Sequence, residues 1–110
     1  MTEALSTAHF FTLHVGLDSD KPGFSRTGNR ERLFAILNER HNHGYTAIEG
    51  TGSFAGQQEP CVVISVVYVG GGNGETDAFN YIQETARVIK HALGQQEVWV
   101  TRRCEGLRIV

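Results

Sequence analysis

Two successive arginines, Arg102 and Arg103, are the side chains in this sequence best suited to gripping an anion. The guanidinium is planar and always charged, and its forked donors match a carboxylate or phosphate. Both are expected directly after a strand, where successive side chains diverge, so that one can enter a cleft while the other stays in solvent. Arg40 and Lys90 are outer cations of the same kind. Gly50, Gly52 and Gly56 run through a strand and its turn. Glycine in a strand marks a bulge or a close approach, and its amide hydrogens can then meet an oxyanion. The same glycines also suit a bulged, twisted edge strand. The chemistry these residues suggest is anion binding.

Other motifs carry less. The GGGNG run at 70–74 lies where a phosphate-binding loop would. It lacks the Gly-Lys-Ser/Thr ending, and Glu75 and Asp77 put negative charge at the helix start, where they answer the dipole and repel an anion. It reads as a connector. His41 and His43 are two apart and share no helix face, so they read as a solvated helix end and no metal site is expected. His14 on the first strand and His91 on the second helix have no carboxylate partner nearby in sequence. No GxSxG and no cysteine signature occurs, so no catalytic residue is assigned and no cofactor is implied. Cys61 and Cys104, without CxxC spacing, read as buried thiols rather than a disulfide.

The chain has 110 residues and a formal net charge of −2. That length suits one domain, and that balance predicts no nucleic-acid polymer as partner and no attraction to acidic membranes. No apolar run approaches the roughly 20 residues of a membrane span. MTEALSTAHFF has neither a basic n-region nor a long apolar h-region, so a cytoplasmic location is expected.

The elements that must position these residues follow from periodicity. Residues 1–8 are expected to be a flexible N-terminus and 9–110 a single domain. Strand one is 9–17, with Phe11, Leu13, Val15 and Leu17 on one face and Phe10, Thr12 and His14 on the other. After a loop at 18–27, Asn29 is the expected cap of a helix over 30–43 carrying Leu33, Phe34, Ile36 and Leu37. Gly44 then ends that helix. Strand two begins at Tyr45, and AGQQEP (55–60) turns into strand three. Thr76 is the expected cap of a second helix, with Phe79, Ile82, Ala86, Ile89 and Leu93 at helical spacing and Gly94 as its stop. Strand four is 97–101, and LRIV (107–110) is available as an extra strand.

The order β-α-β-β-α-β predicts an α+β domain with both helices on one face of an antiparallel sheet, the ferredoxin-like arrangement. Strand three, CVVISVVYV (61–69), is apolar on both faces. Two helices cover only one face, so the other must be buried by further copies of the chain, most simply as a trimer.

That element order, a helix ending in GYT (44–46) and a glycine-bearing segment entering a hairpin together resemble the PII-like signalling proteins. The resemblance implies trimers with sheets packed inward and nucleotides held between subunits. Here the turn between strands two and three is only AGQQEP, and LGQQEVWV before strand four carries no lysine. LHVGLDSD, GYTAIEGTGSF and LGQQEVWV also resemble an uncharacterised family of small ferredoxin-like domains. The expected function is a non-enzymatic regulatory or sequestering protein. It would bind an anionic metabolite, an adenine nucleotide, between subunits through Gly50, Gly52, Gly56, Arg102 and Arg103, with Arg40 and Lys90 outside them. Two other classes stay open: a small enzyme using the same cleft with His14 as general base, and a structural adaptor without ligand.

Overall fold

The computed structural model describes residues 6–54, 56–70 and 73–108. Its elements are β1 (Ser6–Gly16), α1 (Arg26–Arg40), β2 (Thr46–Phe54), β3 (Gln57–Val69), α2 (Asn73–Ala92) and β4 (Trp99–Leu107). The four strands form one antiparallel sheet in the order β2-β3-β1-β4. Both helices cover one face, so this is the ferredoxin-like α+β fold that the element order implied.

Phe11, Leu13 and Val15 of β1 lie opposite Val66, Ile64 and Val62 of β3. Because side chains alternate along a strand, all six point into the helix layer. There they meet Leu33 and Leu37 of α1 and Ile82, Ala86 and Ile89 of α2, with Leu93 just beyond it. The other face is open. On it Ile48 is 65% exposed, Trp99 62%, Val67 47% and Val69 45%.

Several boundaries differ from the sequence expectation. β1 starts at Ser6, with Ala8 fully buried, so only residues 1–5 of the expected flexible terminus lie outside the described residues. α1 starts four residues early: Ser25 caps it, accepting from the Gly28 amide at 3.0 Å. Asn29, expected as the cap, is instead buried within the helix. It donates to the Leu17 and Leu93 carbonyls at 2.8 and 3.1 Å, a long-range use that local cap statistics cannot reveal. α1 ends at Arg40 with His41 as its cap, ahead of Gly44. α2 already begins at Asn73 rather than after Thr76. β2 ends at Phe54 and β3 begins at Gln57, so most of the expected turn over 55–60 is strand, with Gly56 at φ 80° and residue 55 outside the described residues. LRIV contributes no extra strand among the described residues, because Leu107 closes β4.

Gly94 does stop α2 as expected. Its φ is 62°, its amide bonds the His91 carbonyl at 3.3 Å, and the Gln95 amide reaches back to Lys90 at 2.9 Å. This paired closure needs a left-handed residue at that place. The same corner holds the β1–α1 loop: Ser19 Oγ donates to the Gly94 carbonyl at 2.9 Å, and Gln95 Nε2 to the Asp18 carbonyl at 2.8 Å.

The molecule is elongated, with a radius of gyration of 15.7 Å. About 13 Å is usual for a chain of this size. In the β2–β3 hairpin the residues from Gly56 to Glu59 are exposed.

Asn29→Ala tests the buried knot. It removes the donor to the Leu17 carbonyl, while the Leu93 carbonyl keeps Gln95 Nε2 at 3.3 Å. The expected loss is about 2 kcal/mol, the cost of one buried polar group left unpaired, read from urea unfolding.

Candidate functional site

β2 pairs with β3 only up to Thr46 opposite Ser65, whereas β1 pairs with β3 as far as Val69. The edge of Val66–Val69 on the β2 side is therefore left without a strand. The Gly70 amide bonds to the Thr7 carbonyl, so even-numbered residues here direct their backbone groups at β1. Parity then turns the N–H and C=O of Val67 and Val69 toward the uncovered side.

That edge is the floor of a crevice of about 280 Å³. Val66, Val67 and Tyr68 of β3 line it together with Phe11, and Ala78, Tyr81 and Ile82 come from α2. Arg40, His41, His43 and Gly44, from the end of α1 and the turn after it, close the rim.

The rim is a connected polar network. The Arg40 guanidinium lies 4.5 Å over the Tyr81 ring, and its Nε donates to Thr85 Oγ1 at 2.8 Å. Its Nη2 is 3.8 Å from a Glu84 oxygen and is buried without a hydrogen bond. The Tyr81 hydroxyl donates to the Arg40 carbonyl at 3.0 Å. Thr85 donates to the Tyr81 carbonyl at 3.1 Å, and His41 Nε2 lies 3.0 Å from Thr85 Oγ1. With the Thr85 proton so used, its oxygen can only accept from His41, which assigns the neutral imidazole a proton on Nε2. Burial, and secondarily the Arg40 charge, hold His41 below the ordinary imidazole range. It is thus not the solvated helix-end histidine that its polar neighbours in sequence suggested.

A second cluster lies on the other side of Tyr68, whose ring centroid is 6.2 Å from that of His9. His9 Nδ1 of β1 is 3.0 Å from Cys104 Sγ of β4 and 3.5 Å from Glu75 Oε1 in the first turn of α2. Arg102 donates to that same Glu75 oxygen at 2.8 Å. Gly74 leaves room beside it, since a Cβ there would force the Tyr68 hydroxyl to move.

The sequence-expected site residues fall in separate places. Arg102 and Arg103 lie within β4, not after it. They point to opposite faces, Arg102 to Glu75 and the Phe79 ring, Arg103 to Glu105 and the Phe10 ring. Gly50, Gly52 and Gly56 sit on the β2–β3 hairpin at the opposite sheet edge, three strands across from β4, and are offset along the strands as well: Gly50 is level with Gly16 of β1, whereas Arg102 is level with Phe11. Of the expected set, only Arg40 enters the crevice. Lys90 lines a smaller recess of about 170 Å³ with Val98 and Val100. His14 is exposed on the open face opposite Trp99. Cys61 and Cys104 are free, as expected, but Cys61 is half-buried and Cys104 exposed. Tyr81 and Thr85, one helical turn apart, and His9 carry no signal in the sequence, and Glu75 and Cys104 read there only as a helix-start charge and a buried thiol, because only the folded sheet brings each set together.

No protein-family model matches this chain, and no curated protein does. Solved structures do. A phage SAM lyase in its apo state matches with a TM-score of 0.63 at 18% identity, over 97% of this chain and 89% of that one. The phage SAM lyase in complex with S-methyl-5′-thioadenosine matches at 0.57 and 19% identity, over 97% and 87%. CPII, a nitrogen regulatory PII-like protein from Thiomonas intermedia K12 bound to ADP, AMP and bicarbonate, matches at 0.51 and 13% identity, over 96% and 99%. These likenesses establish a shared fold, PII-like proteins included. No described helix is long and apolar enough to cross a membrane.

His41 makes a pH dependence. Its folded pKa lies below the unfolded value, so as pH falls below about 6.5 the unfolded chain takes up the proton first and stability drops. The melting temperature should fall between about pH 7 and about pH 5, and His41→Gln should flatten that slope in a calorimetric series.

Proposed function

We propose that this protein binds an adenosine-bearing small molecule in the Arg40–Tyr81 crevice and does so as a closed homo-oligomer. The crevice carries the reading, because it joins three chemistries. Tyr68 and Tyr81 offer aromatic surface, and Arg40 offers a cation with one unpaired donor. The uncovered β3 edge offers an N–H beside a C=O. Adenine presents a donor amino group next to ring-nitrogen acceptors, the complement of such an edge. A volume of about 280 Å³ sits at the lower end of ligand sites and suits a pocket completed by a second subunit. The two liganded structures of this fold described above hold S-methyl-5′-thioadenosine in one case and ADP and AMP in the other, which supports adenosine as the shared element.

The open face supports the oligomer. Ile48, Val67, Val69 and Trp99 are large apolar side chains exposed on one sheet face, of the kind that subunit contacts cover. A ring of copies sets one subunit's β2 edge against its neighbour's β4 edge. Gly50, Gly52 and Gly56 could then meet Arg102 and Arg103 of the next copy, residues that one subunit holds apart. A trimer is the simplest such ring.

The lyase likeness, at a TM-score of 0.63, favours a second reading in which the bound adenosine compound is also turned over. Incubating any bound compound with the protein and separating products by chromatography decides between binder and enzyme.

Adenosine, AMP, ADP and S-methyl-5′-thioadenosine should each raise the melting temperature, where guanosine and inorganic phosphate do not. A ligand at a hundred times its Kd adds about 2.7 kcal/mol of stability. Arg40→Ala should weaken AMP and ADP by about 1–3 kcal/mol in titration calorimetry, the cost of a lost charge-assisted bond. A panel with no adenine-dependent shift would leave the adaptor reading in its place. Separately, Val67→Asp should convert the oligomer to folded monomers in light scattering, and a parent already monomeric at micromolar concentration contradicts the assembly.

A further inference from the structure

The second cluster has a composition and spacing that the crevice does not use. His9 Nδ1, Cys104 Sγ and a Glu75 carboxylate oxygen lie within 4.8 Å of one another, and they arrive from β1, β4 and α2. Donor atoms bound to one tetrahedral zinc ion at about 2.0–2.3 Å sit about 3.4–3.6 Å apart. The His9 to Glu75 separation of 3.5 Å matches that value, and the His9 to Cys104 separation of 3.0 Å is about half an ångström short of it, so the thiol must draw back slightly to admit the ion.

We propose that His9, Glu75 and Cys104 form a divalent-cation site for a borderline-soft ion such as Zn²⁺. A mixed nitrogen, sulfur and oxygen set suits zinc better than magnesium or calcium, which take oxygen donors. The charges match: one thiolate and one carboxylate balance the ion, the imidazole is neutral, and the thiol proton is released on binding. Arg102, 2.8 Å from Glu75 Oε1 and 5.0 Å over the Phe79 ring, holds the carboxylate in place from outside, as outer-shell partners of metal ligands do. His9 is buried, Glu75 half-buried and Cys104 exposed, so the site opens toward solvent on its sulfur side. With three protein ligands, the fourth position remains for water or a substrate atom, the pattern of catalytic rather than structural zinc. The proposal does not depend on adenosine binding.

Metal-stripped, reduced protein titrated with Co²⁺ should bind one ion per chain and develop a thiolate-to-cobalt charge-transfer band in the near ultraviolet, which Zn²⁺ then abolishes. Zn²⁺ should raise the melting temperature of the parent. Cys104→Ser should lose the band and the shift while keeping the parent's far-ultraviolet circular dichroism, and Glu75→Gln should bind at least tenfold more weakly. Cys61→Ser should behave as the parent. His9 is left unchanged, because its burial makes a folding defect the expected result of replacing it. A parent with no band and no zinc-dependent shift overturns the proposal, as does a folded Cys104→Ser protein that binds Co²⁺ like the parent.

Discussion

The two-residue side-chain period of the central strands is the constraint on which everything else rests. β1 and β3 pair over nine positions, from Ala8 opposite Val69 to Gly16 opposite Cys61. A shift by one would send Phe11, Leu13 and Val15 to the open face. Each such side chain contributes about 1.5–3 kcal/mol on burial, so the register is strongly held. Both β-α-β connections are right-handed crossovers by the usual chirality of the chain, and that places both helices on the same side. One face is then closed and the other left open, with no freedom to choose otherwise.

The crevice follows from unequal strand lengths inside that register. β2 begins only at Thr46, because α1 and its turn must first return the chain to the sheet edge, and β3 continues four residues past the partner of Thr46. The end of α1 arrives directly above the uncovered stretch, bringing Arg40 and His41. Thr85 and Tyr81 of α2 then satisfy them. A half-buried guanidinium is tolerable there because an aromatic face and a hydroxyl receive it, though its buried Nη2 makes no hydrogen bond. The residues that close the rim are thus the ones that end elements, where backbone and side-chain polar groups are still available.

The His9 cluster arises from the same register at the other side of Tyr68. His9 pairs with Tyr68 on one side and Cys104 on the other, so three strands bring these side chains to one face. The close start of α2 at Asn73, with glycine at 74 to clear the Tyr68 hydroxyl, then lowers Glu75 onto them. Arg102 is two residues before Cys104 on β4 and necessarily shares that face. Its guanidinium therefore has a local carboxylate to answer.

Element order, the core stripes and the open face were determined by the sequence alone. Alternation at 11, 13 and 15, the apolar run from Cys61 to Val69, and helical spacing from Phe79 to Leu93 are local patterns, and burial follows from them directly. Gly94 was legible as a stop for the same reason. The start of α1 was not, because Ser25 and Asn29 are both competent caps and only a buried partnership with Leu17 and Leu93 decides between them. The candidate site was least legible. The spread of Arg102 and Arg103 to opposite faces depends on β4 extending to Leu107, which its polar composition conceals. His9, Glu75 and Cys104 are up to 95 positions apart in the chain, and His41 looks solvated beside Asn42 and His43. No local period connects such residues. Only the sheet register and the packing of α2 on it bring them within bonding distance, so that part was decided by tertiary structure.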